Sequence, residues 1–125
     1  MSIDDQELMR RVREAVPADR LSGAIVYGGV SPLEAGARFA AGDVDLIAPW
    51  PALVVFVDPH PQANWGHDCL YLLMRRDGRE HLQAPASLPP FLKQDQPRFR
   101  LLWKAATVPD WAIANGADRG SPPEN

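Results

Sequence analysis

The run Leu53-Val54-Val55-Phe56-Val57 constrains this chain more than any other stretch. Five apolar residues in succession, three of them the β-branched valine, leave no polar face to turn toward water. Such a run reads as a strand buried on both sides, as central strands are. The segment from Asp43 to Pro51 reads as an extended approach to it, and the chain leaves it at Asp58.

The segments around this run divide by period. Leu8, Val12 and Val16 recur at helical spacing while Arg10, Arg13 and Glu14 face elsewhere. Asp4 and Asp5 suit the positive end of the helix dipole, so an amphipathic helix is expected to run to about Pro17. Residues 23–29, GAIVYGG, read as a strand closed by a glycine turn. Residues 31–42, SPLEAGARFAAG, predict a second helix, with Ser31 as N-cap, Pro32 in the first position, Glu34 completing a capping box and Gly42 as the stop. Its inner face would be Leu33, Ala37, Ala40 and Ala41, with Phe39 as the larger anchor. Beyond the central strand, Cys69 to Pro85 reads as a hairpin, turned at Asp77-Gly78 by positive backbone angles. Residues 98–106 alternate, with Phe99, Leu101 and Trp103 on one face and Arg98, Arg100 and Lys104 mainly on the other. Val108 to Gly116 predicts a short closing helix.

These elements amount to an α+β fold, a largely antiparallel sheet of four to five strands with two main helices packed on it. A single domain is expected over residues 1–116, followed by a mobile tail over 117–125 that has almost no apolar content. Four Trp and four Phe among 125 residues supply the large side chains that one such core needs.

Charge and composition narrow the function classes. A net charge of −3 gives no electrostatic reason to seek nucleic acid. No segment has the length of a bilayer span, and the N-terminal residues lack the apolar run of a signal peptide, so the expectation is a cytoplasmic protein without membrane partners. One cysteine cannot form an internal disulfide, which suits a reducing compartment.

Chemistry-bearing side chains concentrate between Asp58 and Cys69, which hold two of the three histidines and the only cysteine. Asp58 and His60, and likewise His67 and Cys69, are separated by one residue, so in extended backbone each pair points to a common side. Asp58, His60, His67 and Cys69 together would make an acceptable tetrahedral zinc shell. The same residues allow a thiol mechanism, with Cys69 as nucleophile, His67 or His60 as base and Asn64 or Asp58 orienting the imidazole. His81 is an alternative partner from across the hairpin. A plain ordered loop accounts for them too, with Cys69 a small buried hydrophobe, His67 bonded to backbone, Asn64 or Asp68 capping the loop and Trp65 pinning it.

Three further features bear on function. The glycines before Ser31 resemble an anion-binding helix start, but capping by Ser31 and Glu34 already accounts for the free amides. Arg98, Arg100 and Lys104, with Arg75, Arg76 and Arg79, would form one anion-binding face if their strands are neighbours. Trp50, Trp65 and Phe91 are aromatic anchors of the kind that interfaces use. With no complete catalytic motif present, the leading expectation is a small accessory domain that presents a rigid loop-and-sheet surface to a protein partner or to a second copy of itself. Trp50, Trp65, Phe91, Arg98 and Arg100 are its candidate contacts. The alternatives are a metal or thiol hydrolytic site at Asp58–Cys69 and small-anion binding by the arginines.

Overall fold

The computed structural model describes residues 4–63, 66–91, 97–114 and 117. The central run becomes strand β4, Ala52–Asp58, and takes the middle place of a five-stranded antiparallel sheet. Its neighbours are β1, Ile25–Gly29, on one side and β5, Cys69–Arg75, on the other. The edges are β7, Phe99–Lys104, beside β1 and β6, His81–Ala86, beside β5. The spatial order is β6-β5-β4-β1-β7.

Because alternate residues of a strand point to opposite faces, β4 feeds two separate cores. On one face Ile25, Tyr27, Val54, Phe56, Tyr71, Leu73 and Phe99 form an aromatic-rich cluster. The Phe56 ring lies 4.8 Å from Tyr71 and 5.9 Å from Tyr27, centroid to centroid. On the other face Val26, Val55, Val57, Leu70, Leu72 and Met74 pack against Leu8, Met9, Val12 and Val16. These last residues come from helix α1, Asp5–Ala15, and its C-cap.

Helix α1 forms where its signals place it. The Asp4 side chain caps it by accepting the Glu7 N–H at 2.8 Å. It ends because Val16 precedes Pro17, a position where helical angles are crowded. Arg11 then ties the helix to the sheet by donating to the carbonyls of Arg75 and Gly78, each at 3.0 Å. A single further turn, α2 over Ala18–Leu21, buries Leu21 under the same face.

The expected second helix is absent, and this corrects the count of two main helices. Leu33 instead bridges to Ala52 by a pair of backbone hydrogen bonds at 2.8 and 2.9 Å. Arg38–Ala41 becomes strand β2, paired with β3 at Val44–Ile47 in a two-stranded sheet. In β2 Phe39 and Ala41 are buried while Arg38 and Ala40 are exposed, a period of two rather than 3.6. Phe39 reaches Tyr71 at 5.7 Å and Phe99 at 6.4 Å, so the hairpin covers the aromatic face that a helix was expected to cover. Tertiary burial outweighed the capping signals, and Gly36, at φ +85°, breaks any helix through the segment.

Three local expectations change as well. Gly28 and Gly29 are strand residues rather than a turn. A Cβ at Gly28 would sit 3.3 Å from the Arg100 guanidinium carbon, and one at Gly29 would sit 3.2 Å from Val54 Cβ. The β5–β6 connection is wider than a tight Asp-Gly turn. It is closed by Arg75 N–H to the Glu80 carbonyl, and neither Asp77 nor Gly78 has a positive φ. A bulge shifts the β1–β7 register from Tyr27↔Leu101 to Val26↔Trp103, so strict alternation stops at Leu101 and Trp103 reaches the helix side, under the Arg13 guanidinium at 5.5 Å.

The chain closes with a 3₁₀ turn over Asp110–Ala112, whose flanking Val108 and Ile113 complete the aromatic face. Gly116 and residues 118–125 of the expected tail lie outside the described residues. Among the described residues no helix is long and apolar enough to cross a membrane.

The β2–β3 turn generates a test. Gly42 opens the two-residue loop at φ +57°, and a Cβ there would meet the Leu88 carbonyl oxygen at 2.4 Å and the Tyr71 hydroxyl at 2.7 Å. Gly36 also has positive φ, but a Cβ there would meet nothing within 4 Å. Gly36→Ala is expected to cost about 1–2 kcal/mol of unfolding free energy from backbone strain alone. Gly42→Ala is expected to cost clearly more, which urea titration of the two variants side by side will measure.

Candidate functional site

Strand β4 carries its last residue into the protein. The alternation that turns Val54 and Phe56 into the aromatic core turns Asp58 to the same side, where it is 3% exposed. A carboxylate so placed needs donors. Asp58 Oδ1 accepts from His67 Nε2 at 2.8 Å and from the His60 backbone N–H at 3.0 Å. The His67 side chain is itself mostly buried, at 12% exposure, and the His60 ring meets it edge to face with centroids 5.8 Å apart. Asp58, His60 and His67 are thus brought together, with the His67 ring bonded to the Asp58 carboxylate. Their arrangement latches both ends of the β4–β5 loop to the end of the central strand.

Cys69 opens β5 and is 1% exposed. Its Sγ–H points to the Leu88 carbonyl at 3.7 Å, the same oxygen that accepts from the Tyr71 hydroxyl at 2.9 Å. Burial pushes the thiol up to about 12, and the negative charges of Asp43, Asp58 and Asp68 push the same way. Nucleophilic attack and metal ligation both use the thiolate, and this environment keeps the proton on sulfur at neutral pH. Among the described residues no group of three or more His, Cys, Asp or Glu side chains is placed to hold a metal ion. Asn64 and Trp65 lie outside the described residues.

The arginines do not form one basic face. β7 lies at one edge of the sheet and the β5–β6 hairpin at the other. Arg75 is engaged by Asp77 at 3.1 Å and Glu80 at 3.5 Å, and Lys104 by the Val108 carbonyl and Asp110. Arg100 donates to the Gly29 carbonyl at 2.8 Å and pairs with Asp5, while Arg98, two residues before it, is exposed. Arg76 and Arg100 both line a cavity beside the end of β1. His81 lines a groove between α1 and the β5–β6 hairpin, away from Cys69, whose ladder partner is Ala86.

Two of the aromatic candidates, Trp50 and Phe91, turn inward. Trp50 is half-buried against the aromatic core. Phe91 packs on Tyr27 at 4.9 Å, Phe56 at 6.1 Å and Phe99 at 6.2 Å. Among the described residues, the aromatic that faces water is Trp111, at 71% exposure on the 3₁₀ turn. That turn is fixed from both sides, by the buried Val108 and Ile113 and by the Ala114 N–H bonded to the Tyr27 hydroxyl at 3.1 Å. Sequence reading passed over Trp111 as part of a closing helix. The available signal was Pro109-Asp110, a turn start that leaves too few residues for a second inward-facing apolar position.

Two outcomes follow from these environments. Cys69 is expected to react with an iodoacetamide probe far more slowly in the native protein than in urea, with native labelling rising only as pH climbs toward the thiol's raised value; rapid labelling at pH 7.5 would contradict the burial. His67→Ala leaves a buried carboxylate without its ring donor and is expected to destabilise by about 1–3 kcal/mol in denaturant titration.

Comparison of the chain with protein-family models, with curated proteins and with solved structures gives no match, so function must be argued from this geometry.

Proposed function

We propose that this protein is a small interaction domain that engages a protein partner through the Trp111 turn. The observation that carries this reading is the 71% exposure of a tryptophan on a turn whose flanks are locked into the core. Tryptophan is among the most buried residue types on average, and at interfaces it is among the commonest energetic anchors. A free indole on a mobile tail would lose entropy on binding; one on a pinned turn has already lost most of it. Among the described residues the other large apolar side chains left open, Val30, Ile47 and Leu82, lie on separate elements, as single surface hydrophobes usually do.

The arrangement favours binding over chemistry. The Asp58–His67 pair closes a loop, and the one thiol is buried and held protonated. A cysteine kept as a thiol also suits a reducing compartment, so we place the protein in the cytosol.

The test is affinity purification with the tagged protein and its Trp111→Ala variant, combined with sedimentation velocity over a range of concentrations. Trp111→Ala should fold normally, since the ring it removes lies mostly in water, with a stability change within about 0.5 kcal/mol. A protein retained by the natural sequence, or self-association of the natural chain, should weaken by about 30-fold or more in the variant. Equal retention and equal sedimentation of the two would overturn the reading.

A further inference from the structure

The end of the sheet where β1 gives way to Val30 holds a cavity of about 320 Å³. Leu8 of α1 and Leu53 of β4 line it together with Gly29, Val30 and Pro32, and two cations, Arg76 and Arg100, stand at it. The cations are not equivalent. Arg100 is engaged on both arms, by the Gly29 carbonyl at 2.8 Å and by the Asp5 carboxylate. Arg76 is half-buried, and its backbone N–H is tied to the Pro51 carbonyl at 2.9 Å. Its guanidinium has no hydrogen bond or ion pair with any of the described residues. A partly desolvated guanidinium with unused donors beside an apolar wall is the electrostatic complement of an amphipathic anion.

We propose that this cavity binds a small monocarboxylate with an apolar body, Arg76 clasping the carboxylate while Leu8, Leu53, Val30 and Pro32 receive the hydrocarbon. Charge decides the headgroup. Asp5 balances Arg100, so one positive charge is left for a ligand, and a phosphate dianion would bring a surplus negative charge toward Asp5. Geometry points the same way, because the planar guanidinium presents parallel N–H donors that match the two oxygens of a carboxylate. Volume decides the size: about 320 Å³ is at the lower end of the ~300–1,000 Å³ range of small-molecule sites. Val30 and Pro32 line the cavity from the loop after β1 and Arg76 from the loop after β5. Trp111 lies at the other end of β7, beyond Lys104, so this site is independent of the interaction surface.

The experiment is an NMR titration of the full-length ¹⁵N-labelled protein with 4-phenylbutyrate, with its uncharged analogue 4-phenylbutyramide and with phenyl phosphate. Saturable shifts of the Gly29, Val30, Leu53 and Arg76 amides are expected with 4-phenylbutyrate at a dissociation constant on the order of 1 mM, given the affinity that so small a ligand can reach. The amide and phenyl phosphate should each bind about tenfold more weakly, the first for want of charge and the second for excess of it. Arg76→Gln should weaken 4-phenylbutyrate about tenfold or more while leaving the unfolding midpoint unchanged, because the side chain it shortens bonds to none of the described residues. Arg76→Lys, which keeps the charge but not the fork, should fall between. The proposal is overturned if the amide or the phosphate binds as tightly as the acid, or if Arg76→Gln binds unchanged. It is equally overturned if no saturable shifts appear at these amides up to about 20 mM, well beyond the expected constant.

Discussion

A strand with no polar face must be covered twice, and the architecture answers that requirement of β4. One face of Ala52–Asp58 is covered by α1, whose stripe of Leu8, Met9, Val12 and Val16 meets Val55 and Val57. The other is covered by the β2–β3 hairpin and the segment after β7, which bring Phe39, Ala41, Val44, Val108 and Ile113 over Phe56. The same constraint produces the polar pair at the end of the strand. Because β4 is buried through its final residue, Asp58 enters the interior as a carboxylate, and the following loop must return with His67 and the His60 N–H to satisfy it. The concentration of histidines after the strand is thereby a consequence of where the strand ends.

Much of this was legible in the sequence, and the failures have physical causes. α1, β1, β4, the β5–β6 hairpin and β7 were readable because their apolar period, caps and breakers agree with their place in the fold. Residues 31–42 were not, because Phe39 and Ala41 fit either period. The local caps pointed to a helix, whereas the contacts that decided the matter, Phe39 with Tyr71 and Phe99, join residues far apart in the chain. The bulge opposite Val26 leaves no mark in a sequence, so the side to which Trp103 turns was out of reach. At the candidate site the concentration of groups was visible, and the pairing of Asp58 with His67 and of Cys69 with Leu88 was not, since both follow from how the ends of β4 and β5 are placed. The exposure of Trp111 depends on which residues of a single turn reach the Tyr27 hydroxyl and the core.

Ion pairs here position elements more than they stabilise the whole. Arg10 with Glu7 and Glu14, and Arg38 with Asp45, are exposed, solvent-screened pairs of the kind that add little to stability. Arg11 and Arg100 differ because each also donates to backbone carbonyls, Arg11 at the β5–β6 turn and Arg100 at the end of β1. Through Asp5 and Arg11, α1 is fastened near both margins of the sheet it covers. The sheet margins carry their own protection, with Pro85 in β6 and arginines in and beside β7, features that discourage pairing with another chain.

The strand order has a consequence for how the chain acquires this shape. β1, the first strand made, lies between β4 and β7, and its contact with Arg100 spans 71 positions of sequence. Half of its ladder can form once β4 exists, but the other half must wait for the last strand of the sheet. In that interval Ile25, Val26 and Tyr27 present an unpaired apolar margin, without the proline or charges that guard the finished edges. The arrival of β7 is therefore the step that converts a sticky intermediate into a closed sheet. A polypeptide interrupted before Phe99 would hold the intermediate open and be drawn to pair with its own copies.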